Sequence, residues 1–382
     1  MDELTGQARS WGEGFRAVGM GIDRYPESIR KHFDLPGVRY LSTMGIPREH
    51  GNPHLFCGTT AAERVVAMEE MAFGDAGVLL GAPGPLLVGV LVSLLADDDQ
   101  KKWFYQRMLE DQRWTFFALT EPERGSDASE LTTRIDVTAD GRPALSGRKR
   151  YVGNGARGQV GVVFARNRPG PLGINAVLVE TPAPGWHTEA LDTIGLCGAR
   201  IGAITMDRVP VDPKLFLGRH LSPSRRGTWA FAQAFNLLRP GVAAISLGIA
   251  RAAHEYAATH RRALRRDEQD RLDDLGRRIG GTRKLVRLAA AAVDADTRDG
   301  HLASAAKARA TSLAADATTQ VCALFGPGAR LEHPVLDKLA RDAQGVEFME
   351  GTTHMQKLTL FQGLFTGKLA GDDPLRQCAG GA

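Results

Sequence analysis

In a chain of 382 residues, one short stretch carries the residue types that proton abstraction needs. It runs Arg341-Asp342-Ala343-Gln344-Gly345-Val346-Glu347-Phe348-Met349-Glu350-Gly351-Thr352-Thr353-His354-Met355-Gln356. Glu350 has Phe348, Met349 and Met355 as neighbours. A carboxyl kept partly from water among such side chains has its pKa raised toward the range of a working base. Gly351 follows the acid and permits a backbone geometry and a close approach that other residues resist. On its type alone, an acid near a helix end is more often a solvated cap than a catalyst. The role of Glu350 therefore depends on what the rest of the chain supplies.

Composition sets the outer limits. The chain is 43% hydrophobic and 24% charged, as in an ordinary soluble globular protein, and is long enough for two or three domains. The net charge of +4 comes from basic residues scattered among nearly as many acids. No concentrated basic stripe with interleaved aromatics stands out, which argues against nucleic-acid binding. A mildly basic surface suits an acidic partner or a phosphate-bearing substrate. Cys57, Cys197, Cys322 and Cys378 are far apart, with no CxxC pair and no His at ligand spacing. That argues against a metal site and a disulfide framework and fits a reducing cytoplasm. The opening MDELTGQARSWGEG lacks the apolar core of a signal peptide. The longest apolar run, Val78 to Leu95, is broken by Gly and Pro and reads as loop and buried helix, not as a membrane span. The expectation is a cytoplasmic protein.

The elements that must position Glu350 follow from periodicity. Residues 1–113 read as mainly helical. Thr59 to Phe73 has a start signal and an apolar stripe, and Asp97 to Glu110 opens with acids that suit a helix amino end. Over residues 114–222 the pattern shortens to β-rich runs: Trp114 to Leu119, Ile135 to Val137, Val160 to Ala165, Asn175 to Glu180 and Ile201 to Met206. Turn residues, Asn154-Gly155 among them, punctuate these runs as in a small antiparallel barrel or sandwich. Over residues 223–367, Trp229 to Arg262, Arg271 to Arg298 and Leu302 to Leu324 predict long helices packed through Ala-rich faces. Pro240 should kink the first or mark its start. Residues 368–382 read as a mobile Gly- and Asp-rich tail. The order is α, then β, then α.

Laid side by side, these segments resemble the acyl-CoA dehydrogenase family from end to end. Gly45-Ile46-Pro47-Arg48-Glu49-His50-Gly51 is similar to the family's Pro-Glu-Tyr-Gly-Gly turn, and Glu69 to Asp75 resembles its Glu-Glu-Leu-Ala-Arg-x-Asp helix. Leu119-Thr120-Glu121-Pro122, with Gly125-Ser126-Asp127 after it, is a near-complete match to Leu-Thr-Glu-Pro-x-x-Gly-Ser-Asp. Gly147 to Gly155 resembles Gly-x-Lys-x-Trp-Ile-Thr-Asn-Gly. Val209-Pro210 to Gly218 is similar to the exit from the β domain, and Phe325-Gly326 lies at the family's spacing. Arg341 to Gln356 resembles the Arg-Asp-Ala and Tyr-Glu-Gly-Thr-x-x-Ile-Gln segment.

The resemblance implies an α+β fold with an N-terminal helical domain, a small antiparallel β-barrel in the middle and a C-terminal four-helix bundle. It implies FAD between the β domain and the C-terminal helices. Phe117, Leu119, Thr120, Gly125, Ser126, Tyr151, Gly153, Thr352 and His354 form the implied cofactor set, with Thr120 on the flavin ring and Tyr151 in place of the family Trp. Ser126 serves the diphosphate or the substrate's pantetheine. Ser126, Asn236, Arg239 and Gly351 form the implied substrate side; Arg239 reads equally as an ion-pair arginine. Glu350 falls on the position of the base that takes the α-proton of an acyl thioester while a hydride passes from the β-carbon to the flavin. The family's other base position is Leu238, before Arg239, and has no acid. The implied partners are an acyl-CoA thioester, an electron-transfer flavoprotein or other electron acceptor, and a second copy of the chain in a homodimer or homotetramer.

Departures from the family pattern leave two alternatives open. The threonine near flavin N5 is Gly153, the glutamine before Phe-Gly is Ala323, and the Arg-x-x-Phe-Gly hairpin is shortened to Arg261 through Asp267, with Arg262 a substitute. An Asp on the CoA side is Asn236. These changes suit the same chemistry on an acyl chain held by a carrier protein, since carrier proteins are acidic. They also suit a non-catalytic relative with weakened FAD binding, which intact Glu350 opposes.

Overall fold

A computed structural model describes residues 1–261 and 263–365. The expectations placed on Arg262, on Cys378 and on the tail 368–382 lie outside the described residues. Five helices come first: α1 (Asp2–Arg24), α2 (Pro36–Thr43), α3 (Ala61–Gly81), α4 (Leu86–Leu95) and α5 (Asp98–Glu110). Asp97 starts α5 through a capping box with Gln100, and Asp98 and Asp99 fill its first turn. The side chain of Thr60 caps α3, and Asp294 accepts from the first two amides of the same helix at 2.7 and 2.9 Å.

Helix α3 runs further than its periodicity suggests. Its apolar pattern pauses at Gly74-Asp75, and there the backbone leaves helical geometry, with φ −163° and ψ 117° at Asp75. The break has two causes on the page. A Cβ on Gly74 would come within 1.9 Å of the Gly12 carbonyl oxygen, so α1 crosses at backbone contact. Asp75 then restarts the helix as an internal cap, accepting from the Val78 amide at 2.9 Å.

Seven strands follow: β1 (Thr115–Ala118), β2 (Arg134–Val137), β3 (Pro143–Val152), β4 (Val160–Arg166), β5 (Ile174–Glu180), β6 (Trp186–Ala190) and β7 (Gly202–Pro210). They form one sheet in which β3 lies between β2 and β7, β7 pairs β6, and β4 pairs β5, all antiparallel. β1 joins β4 in parallel, which an antiparallel barrel does not include. Two strands escaped the periodicity reading. β3 contains Arg148-Lys149-Arg150, yet Lys149 is buried because it neutralises Glu121 inside the sheet. β6 is short and mostly exposed, so it carries little apolar alternation.

The remaining helices are α6 (Gly227–His260), α7 (Arg266–Ala295), α8 (His301–Phe325), the single turn α9 (Ala329–Glu332), α10 (Pro334–Gly345) and α11 (Thr353–Phe365). Helix α6 starts thirteen residues before Pro240 and continues through it, so the proline does not mark its start. Helices α6, α7 and α8 pack on one another, and α10 and α11 pack on α8. One apolar core joins α1 and α3 to these C-terminal helices, from Leu4 and Phe15 to Ile249, Leu313 and Val346. A second lies where α4, α5 and the start of α6 meet the sheet, and a third fills the sheet's inner side. Among the described residues no helix is long and apolar enough to cross a membrane.

The α1–α3 crossing gives a paired test. Gly74→Ala should cost about 1–3 kcal/mol through overpacking. Gly6→Ala, at an exposed position of α1 with nothing within 4 Å of the new methyl, should gain about 0.5–1 kcal/mol. Urea denaturation of the two variants beside the parent measures both.

Candidate active site

Glu350 lies in a turn between α10 and α11. A short 3-10 turn, Val346–Phe348, leads to it, and its own φ is +45°, followed by +94° at Gly351. A non-glycine residue in left-handed geometry is strained and persists only where its surroundings hold it. Two side chains do so. Arg239 of α6 donates from Nε to the Glu350 carbonyl at 3.2 Å, and Gln356 of α11 donates from Nε2 to the same oxygen at 3.0 Å. Gln356 also donates to the Gly351 carbonyl at 2.9 Å. Glu347 closes the other side by accepting from both the amide and the hydroxyl of Thr353, each at 2.6 Å.

The electrostatics set Glu350 apart. Its carboxyl is buried, and Oε2 accepts no hydrogen bond. Burial pushes its pKa up to about 7, against the pull of the Lys307 and Arg239 cations. Arg239 is itself brought down to about 10 by burial, opposed by Glu350. Its Nη1 donates to Asn236 at 3.0 Å and reaches Ser304 at 3.5 Å. Lys307 of α8 is fully buried and donates to the Glu347 carbonyl at 2.6 Å. A carboxyl that is half ionised near neutrality, with an unpartnered oxygen, has the properties of a proton acceptor.

The β domain brings a second group of residues. Glu121 is buried and pairs with Lys149 at 3.0 Å. It also accepts from the amides and hydroxyls of Thr132 and Thr133, at 2.6 to 2.8 Å. Burial alone would raise the Glu121 carboxyl, but Lys149 and the threonines outweigh it and hold it at about 2. Burial draws Lys149 down to about 8, against the attraction of Glu121. Both groups stay charged at neutral pH. The Lys149 ammonium also binds the Leu119 carbonyl at 2.9 Å, and the Arg150 amide binds the Thr120 carbonyl at 2.9 Å. The ends of β1 and β3 are thereby tied together, with Tyr151 beside them at φ +60° and 63% exposed.

The structure groups the expected site residues unevenly. Asn236, Arg239, Glu350 and Gly351 form one bonded cluster with Gln356. Thr352 sits next to it at the start of α11. Leu119, Thr120, Tyr151 and Gly153 share the ends of β1 and β3. Phe117 links the two groups: its ring is 5.9 Å from Phe235, over which the Arg239 guanidinium lies at 5.9 Å. Gly125 and Ser126, on the loop beyond Glu121, are exposed, as is His354. Asn236 does not face outward alone; it bonds Arg239 and the Thr297 carbonyl. Arg239 is partly buried, with Nε on the Glu350 carbonyl and Nη1 on the Asn236 side chain, and its charge acts on the Glu350 carboxyl from there. Sequence reasoning missed Lys307, Ser304 and Glu347 and gave Gln356 no role. A signal existed: Ser304, Lys307 and Thr311 interrupt the alanines of α8 at helical spacing, and all three are buried.

The two groups of residues lie on the helical turn and at the sheet ends, with Phe117 and Phe235 between them. Residues 225–365 match the model of the acyl-CoA dehydrogenase C-terminal domain, and residues 116–209 match that of the middle domain. The chain is similar to an acyl-CoA dehydrogenase of Bacillus subtilis (strain 168), at 26% identity over 90% of this chain and 91% of that one. It is also similar to a 3-(aryl)acrylate reductase of Clostridium sporogenes, at 28% over 84% and 86%. The butyryl-CoA dehydrogenase structure from Megasphaera elsdenii superposes with a TM-score of 0.83 at 24% identity, covering 96% of this chain and 99% of that one. The chain belongs to the acyl-CoA dehydrogenase family, a family of FAD-dependent oxidoreductases.

The Glu121–Lys149 pair should be costly to break. Lys149→Met strands a buried carboxylate and should lose about 3–5 kcal/mol. The double variant Lys149→Met with Glu121→Gln should recover part of that loss, because the two sites are in contact. Equal losses in the single and double variants, read by thermal or urea unfolding, would contradict the pairing.

Proposed function

We propose that the chain is an α,β-dehydrogenase of acyl thioesters, with Glu350 as the base that takes the α-proton. The observation that carries this is the Glu350 carboxyl itself: buried, unpartnered at Oε2 and with its pKa at about 7. Desolvation makes the carboxylate a stronger base, which the weakly acidic α-carbon requires. Oxidation removes a proton from the α-carbon and a hydride from the β-carbon and leaves the double bond between them. FAD bound beside the β domain supplies the hydride acceptor.

The residues present fit that cofactor. Thr120 is partly open, Tyr151 is largely exposed with the Arg150 guanidinium over its ring at 5.3 Å, and both sit on ends of strands stiffened by the Glu121–Lys149 pair. Thr120, Gly125, Ser126, Tyr151 and Gly153 would hold it from the sheet, with Phe117 and Leu119 behind them. Thr352 and His354 would meet it from α11. Arg239 and Gln356 keep Glu350 in the left-handed turn, and Arg239 holds Asn236 in place through the same guanidinium. Glu350 moves a proton; the other residues bind and orient. The acyl thioester is carried by coenzyme A, and a carrier-protein thioester is the second substrate to test because the chemistry at Glu350 is the same. The intact Glu350 site weighs against a non-catalytic relative. An electron-transfer flavoprotein is the proposed acceptor from the reduced cofactor.

Glu350→Gln should retain flavin absorbance but bleach at least ~100- to 10,000-fold more slowly on anaerobic mixing with an acyl thioester. In the parent, bleaching should rise with pH through about 7, because only the deprotonated carboxyl accepts the proton. A panel of acyl-CoA and acyl-carrier thioesters finds the substrate. If no member bleaches the parent, the dehydrogenase reading falls.

The chain should also be at least a homodimer. Helix α11 leaves Leu358, Phe361 and Phe365 in solvent, with the two phenylalanine rings 4.7 Å apart. Such a face invites cover by a second copy. Sedimentation at micromolar concentration measures this, and a monomer mass would overturn it.

A further inference from the structure

Lys307 is a lysine with no surface exposed to water. It is fully buried on α8, in a stripe with Ser304 and Thr311. A buried ammonium is costly unless its hydrogen bonds and counter-charges are supplied. Its recorded hydrogen bond is to the Glu347 carbonyl at 2.6 Å, and the Glu347 carboxylate lies 3.8 Å away. That carboxylate is already engaged by Thr353 through two bonds. Lys307 and Glu347 therefore clamp the residues on either side of Glu350, at 347 and at 353. Arg239 and Gln356 hold Glu350 itself only through its carbonyl. Packing alone does not account for Lys307, since Met would fill the same space without the desolvation cost.

We propose that Lys307 is a positioning residue for Glu350, fixing the turn that presents its carboxyl and holding an ammonium charge beside that turn. This inference rests on the reading of Glu350 as the base. The cations that act on that carboxyl are Arg239 from α6 and Lys307 from α8; Glu347, from the same turn, faces Lys307, while His354 and Lys357 of α11 are exposed. Of these, Lys307 is the cation whose own field Glu347 partly cancels. The two substitutions that alter this balance should act in opposite directions. Lys307→Met removes a positive charge, so ionising Glu350 becomes harder. Glu347→Gln removes the negative charge that offsets Lys307, so ionising Glu350 becomes easier.

The test follows Glu350 directly. Carbon-13 NMR of the full chain labelled at glutamate carboxyls, without substrate, identifies its signal as the one missing from Glu350→Gln. Its titration midpoint should move up by about one pH unit in Lys307→Met, a ~10-fold weaker acid, and down in Glu347→Gln. In the flavin-loaded protein the pH profile of bleaching should shift the same way. Midpoints equal to the parent's in both variants, with only a lower melting temperature, would overturn the proposal and leave Lys307 a strut. Should Lys307→Met fail to fold, Lys307→Gln, which keeps a donor but no charge, decides instead: an upward shift supports the proposal and an unchanged midpoint sinks it. Because the NMR arm needs no thioester, it stands or falls separately from the dehydrogenase reading, which the bleaching panel tests.

Discussion

The structure turns on the carbonyl oxygen of Glu350. Two donors from different helices, Arg239 on α6 and Gln356 on α11, converge on it, and they hold a glutamate in left-handed geometry. The strain of that geometry is on the order of 1–3 kcal/mol, and it persists because several elements fix the turn at once. Releasing either donor would free the backbone that aims the carboxyl. The rest of the fold can be understood as what keeps α6, α8 and α11 in register around one turn.

Buried charge does much of that work. Glu69 of α3 is fully buried and takes Arg251 of α6 and Arg283 and Arg287 of α7, at 2.8 to 2.9 Å. Lys338 of α10 lies between Asp75 at 2.9 Å and Asp342 at 2.6 Å, and Asp342 also accepts the Leu196 amide at 2.7 Å. These clusters join α3 to the C-terminal helices and α10 to the segment after β6. Ion pairs inside a protein gain little over well-packed apolar groups, yet breaking one is expensive. Their effect is to make alternative packings costly, which suits a site that depends on helix register.

The order of helices and strands, and the Glu350 turn, were legible because each rests on local pattern. Capping at Asp97, alanine faces on α6 to α8 and the Glu350-Gly351-Thr352 run are visible in the residues themselves. What was not legible depends on partners distant in sequence. Nothing near Gly74 announces that Gly12 will press on it, so α3 seemed to stop where it only breaks. Arg148-Lys149-Arg150 lacks the apolar alternation of a strand, and the burial of its lysine rests on Glu121, distant in sequence. Lys307 hides in an alanine-rich helix, and its meaning comes from Glu347, forty residues on. Arg239 was read as an orienting or ion-pair residue, and its grip on a main-chain oxygen is a contact that residue type does not disclose. The placement of Thr120 and Tyr151 at tied strand ends follows from tertiary pairing that sequence spacing leaves unspecified.

Helix α6 is continuous but lacks one hydrogen bond at the turn that serves Glu350. Pro240 has no amide hydrogen, so the Asn236 carbonyl one turn earlier loses its usual helical donor, and the proline ring crowds that carbonyl. This is the turn that carries Asn236 and Arg239. Help comes from outside the helix: Arg64 of α3 donates to the neighbouring Leu237 carbonyl at 3.2 Å. The same guanidinium is anchored on the Gly58 and Thr59 carbonyls, each at 3.0 Å. The turn with the missing bond is thus tied to the N-terminal helices through the carbonyl next to it, and the arginine that holds Glu350 sits on that turn. The N-terminal segment therefore reaches the site through main-chain contacts. Coupling of this kind passes through a helix's hydrogen bonding, which explains how residues far from Glu350 can still fix the geometry of its turn.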